Sequence, residues 1–190
     1  MLVVAILALP GYNYYKLYKR VEDYGSHPCC RNVLILGKIS EVSKHIEKEL
    51  SSNLLFPKNP GQGSDVSSKL RITPNWIIAK RFFDFYIIHV ADLCWVYIKQ
   101  TKHSVNLIPT GTTFSVVFNS KHIINAEVDG VGEDEGSSLI NLINTLAPWA
   151  IYGFSEEIKE IWEQNPAELI QEVDQRFLEV QKILKREGGK

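Results

Sequence analysis

His89, His103, His122 and Asp92 are the residues whose types suit general acid–base work. An imidazole within reach of a carboxylate can take a proton from a bound substrate. Three of these groups within about 4 Å of one another in a cleft would make an enzyme credible. Histidines scattered through a β-rich region are mostly ordinary residues, however. Cys94 falls inside a strand-like run, and no G-x-S-x-G elbow occurs. The cluster His27-Pro28-Cys29-Cys30, with Asp23 nearby, has metal-ligating types, but structural zinc takes four ligands and no second cluster completes the set. Gly61-Gln62-Gly63 is too short for a dinucleotide fingerprint and leads into a strand-like run rather than a helix. The acidic stretch Asp129 to Glu135 lacks the alternating carboxylates of a calcium loop. No catalytic residue, metal or cofactor is expected, and an enzyme using the histidines with Asp92 is the alternative reading.

Binding chemistry is the other class. From Lys69 to Val128, the cations Lys69, Arg71, Lys80, Arg81, Lys99, Lys102 and Lys121 outnumber Asp84, Asp92 and Glu127. Lys80, Arg81, Lys99 and Lys102 are the candidate ligand-binding residues, suited to phosphate or anionic lipid. The net charge of −1 gives no long-range field to attract nucleic acid, so none is expected as a partner. Three cysteines, two of them adjacent, make no disulfide framework, and a reducing compartment follows.

The elements that must position these groups are mostly strands. Between Lys69 and Val128, short runs rich in β-branched and aromatic residues alternate with turn-forming clusters, the pattern of antiparallel strands. Thr73-Pro74-Asn75 reads as the turn of a hairpin. Leu93, Trp95 and Tyr97 share one face and Cys94, Val96 and Ile98 the other. Both faces are apolar, so one lies on the core and the other needs a roof. Lys102 to Thr112, with Pro109 and Gly111, reads as a connection, and Asn119-Ser120-Lys121 as a turn. Before the strands, Ser40 to Ser51 reads as a helix capped by Ser40, and Pro57 to Ser68 as loop. After them come an acidic turn over Gly130 to Gly136 and an amphipathic helix over Ser137 to Ala147. A short helix from Ser155 follows. A longer one starts at Asn165-Pro166-Ala167-Glu168 and carries Leu169, Val173, Phe177, Val180 and Leu184 on one stripe.

Met1 to Leu9 is continuously apolar, and Tyr12, Tyr14, Tyr15, Lys16, Tyr18, Lys19 and Arg20 follow Pro10-Gly11. Aromatic rings beside basic residues, directly after an apolar run, mark a membrane-proximal segment. Nine apolar residues fall short of the roughly 20 that a spanning helix needs. A shallow anchor, the end of a longer span and a buried element of the fold all fit. The basic residues follow the apolar run instead of preceding it, unlike an export signal. That order points to the cytoplasmic side of the cell membrane, or to the cytoplasm if the segment packs on the domain.

Leu70-Arg-Ile-Thr-Pro-Asn-Trp-Ile-Ile, Asp92-Leu-Cys-Trp-Val-Tyr, Asn106-Leu-Ile-Pro-Thr-Gly and Ala147-Pro-Trp-Ala-Ile-Tyr-Gly-Phe-Ser-Glu-Glu, together with Tyr24-Gly25-Ser26-His27-Pro28 and Val173-Asp174-Gln175-Arg176, resemble an uncharacterised bacterial family. Its members carry a PH-like domain of unknown function, often behind hydrophobic N-terminal segments. The resemblance implies no activity and no catalytic residues. The expected fold is α+β: a PH-like, strongly bent antiparallel sheet or partly open barrel, capped by a C-terminal amphipathic helix, with extra N- and C-terminal helices. The expected organisation is a membrane-proximal segment over 1–31, the PH-like domain with its preceding helix over 32–148, and a helical extension over 149–190. The expected function is a non-enzymatic, membrane-proximal binding or scaffolding module. Its partner would be a protein or anionic lipid, with a homodimer through the 166–186 helix as a further option.

Overall fold

The computed structural model describes residues 33, 35–57, 65–81, 84–105, 108–122 and 125–187, together with Tyr15 and Tyr18. In chain order the elements are α1 (Ile39–Ser52), α2 (Asp65–Lys69), β1 (Leu70–Ile72), β2 (Trp76–Arg81), β3 (Asp84–His89), a 3-10 turn (Val90–Asp92), β4 (Leu93–Val105), β5 (Ile108–Ser120), β6 (Ala126–Val131), α3 (Glu133–Leu146), β7 (Ile151–Tyr152), α4 (Glu156–Gln164) and α5 (Pro166–Glu187). The class is α+β. One sheet has the order β1-β2-β3 and the other β6-β5-β4-β7, antiparallel throughout except that β7 runs parallel to β4. The described strands do not close into a barrel, because neither β3 and β4 nor β1 and β6 pair.

Period-two alternation decides which side chains meet. In the first sheet Leu70, Ile72, Ile77, Ala79 and Ile88 turn inward and are buried. On its other face Trp76, Ile78 and Ile87 pack with Val42 and Ile46 of α1. The β1–β2 turn closes as the sequence predicts: the Thr73 N–H donates to the Trp76 carbonyl at 2.9 Å, and the Trp76 N–H donates to Thr73 Oγ1 at 3.1 Å. Glu49 of α1 ties down the same turn, accepting from the Asn75 N–H at 3.2 Å and from its side-chain amide. Burial by itself would raise the Glu49 carboxyl, but the Asn75 hydrogen bonds outweigh it and hold the group below its usual range.

In the second sheet Val96, Phe118, Val116, Ala126 and Val128 face the first sheet's core and α3, whose Leu139 and Ile143 are buried there. Trp95, Tyr97 and Val117 lie on the opposite face, and their roof is α4 and the start of α5. The two apolar faces of β4 are thus both covered, as its sequence requires. Trp149, Trp162, Leu169 and Val173 of the 149–190 region join the same core as the sheets.

Five local expectations are corrected. Lys102 to Thr112 is not a connection: β4 and β5 continue as a hairpin to Val105 and Ile108, and Pro109 is accommodated beside a register shift at His103/Ser104. Asn119 and Ser120 are not a turn but buried strand residues that continue β5, and Asn125, directly before β6, takes φ +54°. Asp65–Lys69 is a helical turn, not loop, anchored by the fully buried Val66. Glu133, Asp134 and Glu135 belong to the first turn of α3, where the helix dipole favours carboxylates. Lys38 rather than Ser40 precedes α1.

Gly136 lets α3 sit directly on the sheet. A Cβ there would lie 3.1 Å from Ile98 Cδ1 and 3.3 Å from Val131 Cγ1. Gly136→Val is therefore expected to lower stability by about 1–3 kcal/mol through overpacking, despite valine's better helix propensity than glycine's. A urea midpoint equal to wild type would show that α3 is not seated against Ile98.

Candidate functional site

The candidate surface lies around the corner where β4, α3, β7 and α4 meet. Trp95 and Tyr97 project from one face of β4 with ring centroids 4.4 Å apart. Phe154, just past β7, lies 5.3 Å from Tyr97 and 6.3 Å from Trp95. Phe154 is half-exposed although the rings beneath it are buried. The Trp95 indole N–H donates to the Gly153 carbonyl at 2.8 Å, locking the rings to the loop that carries Phe154. Gly153, at φ +91°, turns the chain away from β4 and ends β7.

Two clefts of about 410 Å³ each flank this corner. One lies between Tyr97 and Ile98 of β4, Ser137, Ile140 and Asn141 of α3, and Gly153-Phe154. The other lies between the outer face of β4–β6 and the α4–α5 junction, and includes Trp95, Tyr97, Lys99, Glu127, Trp162 and Glu163. Its charges are mixed: Lys99 pairs with Glu127 at 2.9 Å and Lys159 with Glu156 at 3.2 Å. Burial first, and then the Glu127 carboxylate, raise the Tyr97 phenol above its usual range, so it stays a hydroxyl at neutral pH. The Trp162 indole N–H is buried without a hydrogen-bond partner among the described residues. A third cleft of about 330 Å³ lies beside α1 and includes His45, Trp76 and His89.

The sequence-predicted cations do not form one patch. Lys80 is exposed on the three-stranded sheet, whereas Lys99 and Lys102 are exposed on β4. Residues 99 and 102 are separated by an odd number of positions in an unbulged stretch, so they point to opposite faces. The side chain of Arg81 lies outside the described residues. Of the membrane-proximal group, Tyr15 and Tyr18 are helical and more than half exposed. Tyr12, Tyr14, Lys16, Lys19 and Arg20 lie outside the described residues, as do Asp23, the His27–Cys30 cluster and Gly61-Gln62-Gly63. Among the described residues no helix is long and apolar enough to cross a membrane, and no group of three metal-ligating side chains forms.

The acid–base candidates are separated as well. His89 packs edge-on against Trp76 at 4.8 Å, in the three-stranded sheet. His103 sits near the tip of the β4–β5 hairpin, its Nε2 2.8 Å from Thr113 Oγ1. His122 follows β5 at the other end of that hairpin, about 30 Å away at the rise of an extended strand. Asp92 is engaged by Lys121 at 3.8 Å. The Cys94 thiol is pushed up to about 12, first by burial and then by the charges of Asp174 and Asp92, so it is no nucleophile at neutral pH. Comparison with protein-family models, with curated proteins and with solved structures gives no match.

The aromatic corner itself is not visible in the sequence. By spacing alone Tyr97 is only a member of one apolar face of β4, and Phe154 lies in a segment with no periodicity. The signal was the pairing of a fully apolar strand with a distant Gly-Phe dipeptide, which only the fold connects.

Proposed function

We propose that the protein is a non-enzymatic binding module of PH-like architecture, held close to a membrane by its N-terminal segment, and that the Tyr97–Phe154 corner is its binding face. One observation carries the reading: the exposed Phe154 packs on buried rings and lines a cleft of ligand-binding size, and Tyr97 beneath it lines a second one as well. Two sheets sharing a core with a following amphipathic helix are what a PH-like domain requires. The apolar run before Tyr12, with the tyrosines and cations after it, supports the membrane-proximal position. A protein partner fits this face better than an anionic headgroup, because the cation on it, Lys99, is already neutralised by Glu127. The enzymatic alternative is disfavoured by the separation of His103 from His122 and Asp92. A homodimer through the 166–186 helix is favoured by one observation, the exposure of Leu178, Ile183 and Leu184 on α5.

Vesicle co-sedimentation and site-directed cross-linking test the reading. The full chain is expected to pellet equally with neutral and anionic vesicles, and a chain lacking residues 1–20 to stay in the supernatant. A photo-reactive residue in place of Phe154 is expected to give a discrete adduct in source-cell membranes, and one in place of Asn144 to give none. A wild-type chain left in the supernatant removes the membrane-proximal half of the proposal. Identical adducts from both positions remove the binding face.

A further inference from the structure

β4 is an edge strand for most of its length. β7 pairs with it only at Trp95 and Val96, with the Gly153 N–H donating to the Val96 carbonyl at 3.0 Å. Past that point Gly153 turns the chain away. Backbone groups of alternate strand residues share a direction, so Ile98, Gln100 and Lys102 aim their N–H and C=O groups the same way as Val96. Among the described residues these groups have no hydrogen-bond partner on that side. The cleft beside α3 lies along the start of this open edge.

We propose that this edge takes an extended, acidic peptide segment by strand addition. The segment would continue the line that β7 begins and set an apolar side chain into the cleft of Ile98, Ile140 and Phe154. The inference rests on the binding-module reading and names the partner's class. Strand addition supplies main-chain hydrogen bonds for affinity, and pockets for alternate side chains supply specificity. The charges favour carboxylates. Lys102, on the same face as Ile98, is exposed, residues 93–105 contain no acidic residue, and the α3 side chains of the cleft are uncharged, whereas Lys99 on the other face is already paired with Glu127. Lys102 has no ion-pair partner among the described residues. Opposite charges across strands are stabilising and like charges are not. A second copy of the same edge would add a second Lys102 without supplying a carboxylate to pair with it, which disfavours self-pairing.

The test uses the full chain and three fluorescein-labelled nonapeptides: alternating valine and glutamate, alternating valine and lysine, and the glutamate peptide N-methylated at alternate backbone positions. By anisotropy at low salt, the glutamate peptide is expected to bind at least about tenfold more tightly than either of the others, the loss that about 1.4 kcal/mol represents. Gln100→Pro removes an outward-facing donor without touching the β4–β5 ladder, and is expected to weaken binding by about tenfold at an unchanged urea midpoint. The N-methylated peptide keeps the test decisive if that variant unfolds. Equal binding of all three peptides, no binding at millimolar peptide, or a chain that dimerises through this edge in sedimentation equilibrium overturns the proposal. If the peptides fail while the Phe154 cross-link persists, strand addition falls and the binding module stands. If the cross-link fails too, both fall.

Discussion

Trp95→Ala is expected to destabilise the fold by about 3–5 kcal/mol, the range for removing a large buried aromatic side chain. Trp95 is only 1% exposed, packs at a tilt against Tyr97, and closes the aromatic corner through its hydrogen bond to the Gly153 carbonyl. Truncation at Cβ would leave a cavity beneath Phe154 and strip a partner from that carbonyl. Against a total stability of about 5–15 kcal/mol, such a loss removes a large part of the margin. Trp95→Phe separates the two contributions. It retains most of the ring volume and loses the hydrogen bond, so a loss of about 1–2 kcal/mol is expected. Urea unfolding with unchanged slope reads both. A Trp95→Ala variant within about 1 kcal/mol of wild type would mean that the α4–α5 roof is not part of the core, and the proposed binding face would lose its rigid base.

The strand region was legible because alternation is a local signal. Leu93, Trp95 and Tyr97 could be assigned to one face from their spacing, and the demand for cover on both faces followed from composition alone. The Asn165-Pro166-Ala167-Glu168 start of α5 was legible for a similar reason, since Asn165 Nδ2 and the Glu168 carboxylate, 3.3 Å apart, are close in sequence. What sequence did not reveal depends on distant partners. Asn119 reads as a turn former, yet it is buried in β5 because its Oδ1 accepts the Asn125 N–H at 2.8 Å. Pro109 and Gly111 read as a loop, yet a register shift lets the hairpin run past them. Val66, a lone apolar residue in a polar stretch, has no period to announce it. The clefts were illegible for the same reason: each joins β4 to helices more than 30 residues further along the chain.

Lys121→Met is expected to cost about 1–3 kcal/mol at neutral pH and low salt. The Lys121 ammonium lies 2.6 Å from Asp174 of α5 and 3.8 Å from Asp92, so the side chain ties α5 to the start of β4, while the Lys121 backbone N–H, which the substitution keeps, donates to the Asp92 carbonyl at 3.0 Å. Removing the ammonium leaves two carboxylates facing each other in a partly buried site. Breaking a fully buried pair costs about 3–5 kcal/mol and a surface pair about 0–1. The Lys121 and Asp92 side chains are 23% and 19% exposed, but Asp174 is 47% exposed, and solvent screening there places the effect between those limits. The pH dependence has a definite sign. Burial by itself would lower the Lys121 value, but the Asp174 hydrogen bond and the charges of Asp174 and Asp92 outweigh it and raise the group above its usual 10.5. A raised folded-state value means that the contribution is complete below about 10.5 and fades as pH climbs through the raised value. The stability gap between wild type and Lys121→Met should therefore stay constant from about pH 7 to 10 and close only above that. A gap already closed at pH 8, or absent at pH 7, would mean that α5 is held by Leu169 and Val173 alone. The roof over Trp95 would then rest on apolar contact without an electrostatic lock.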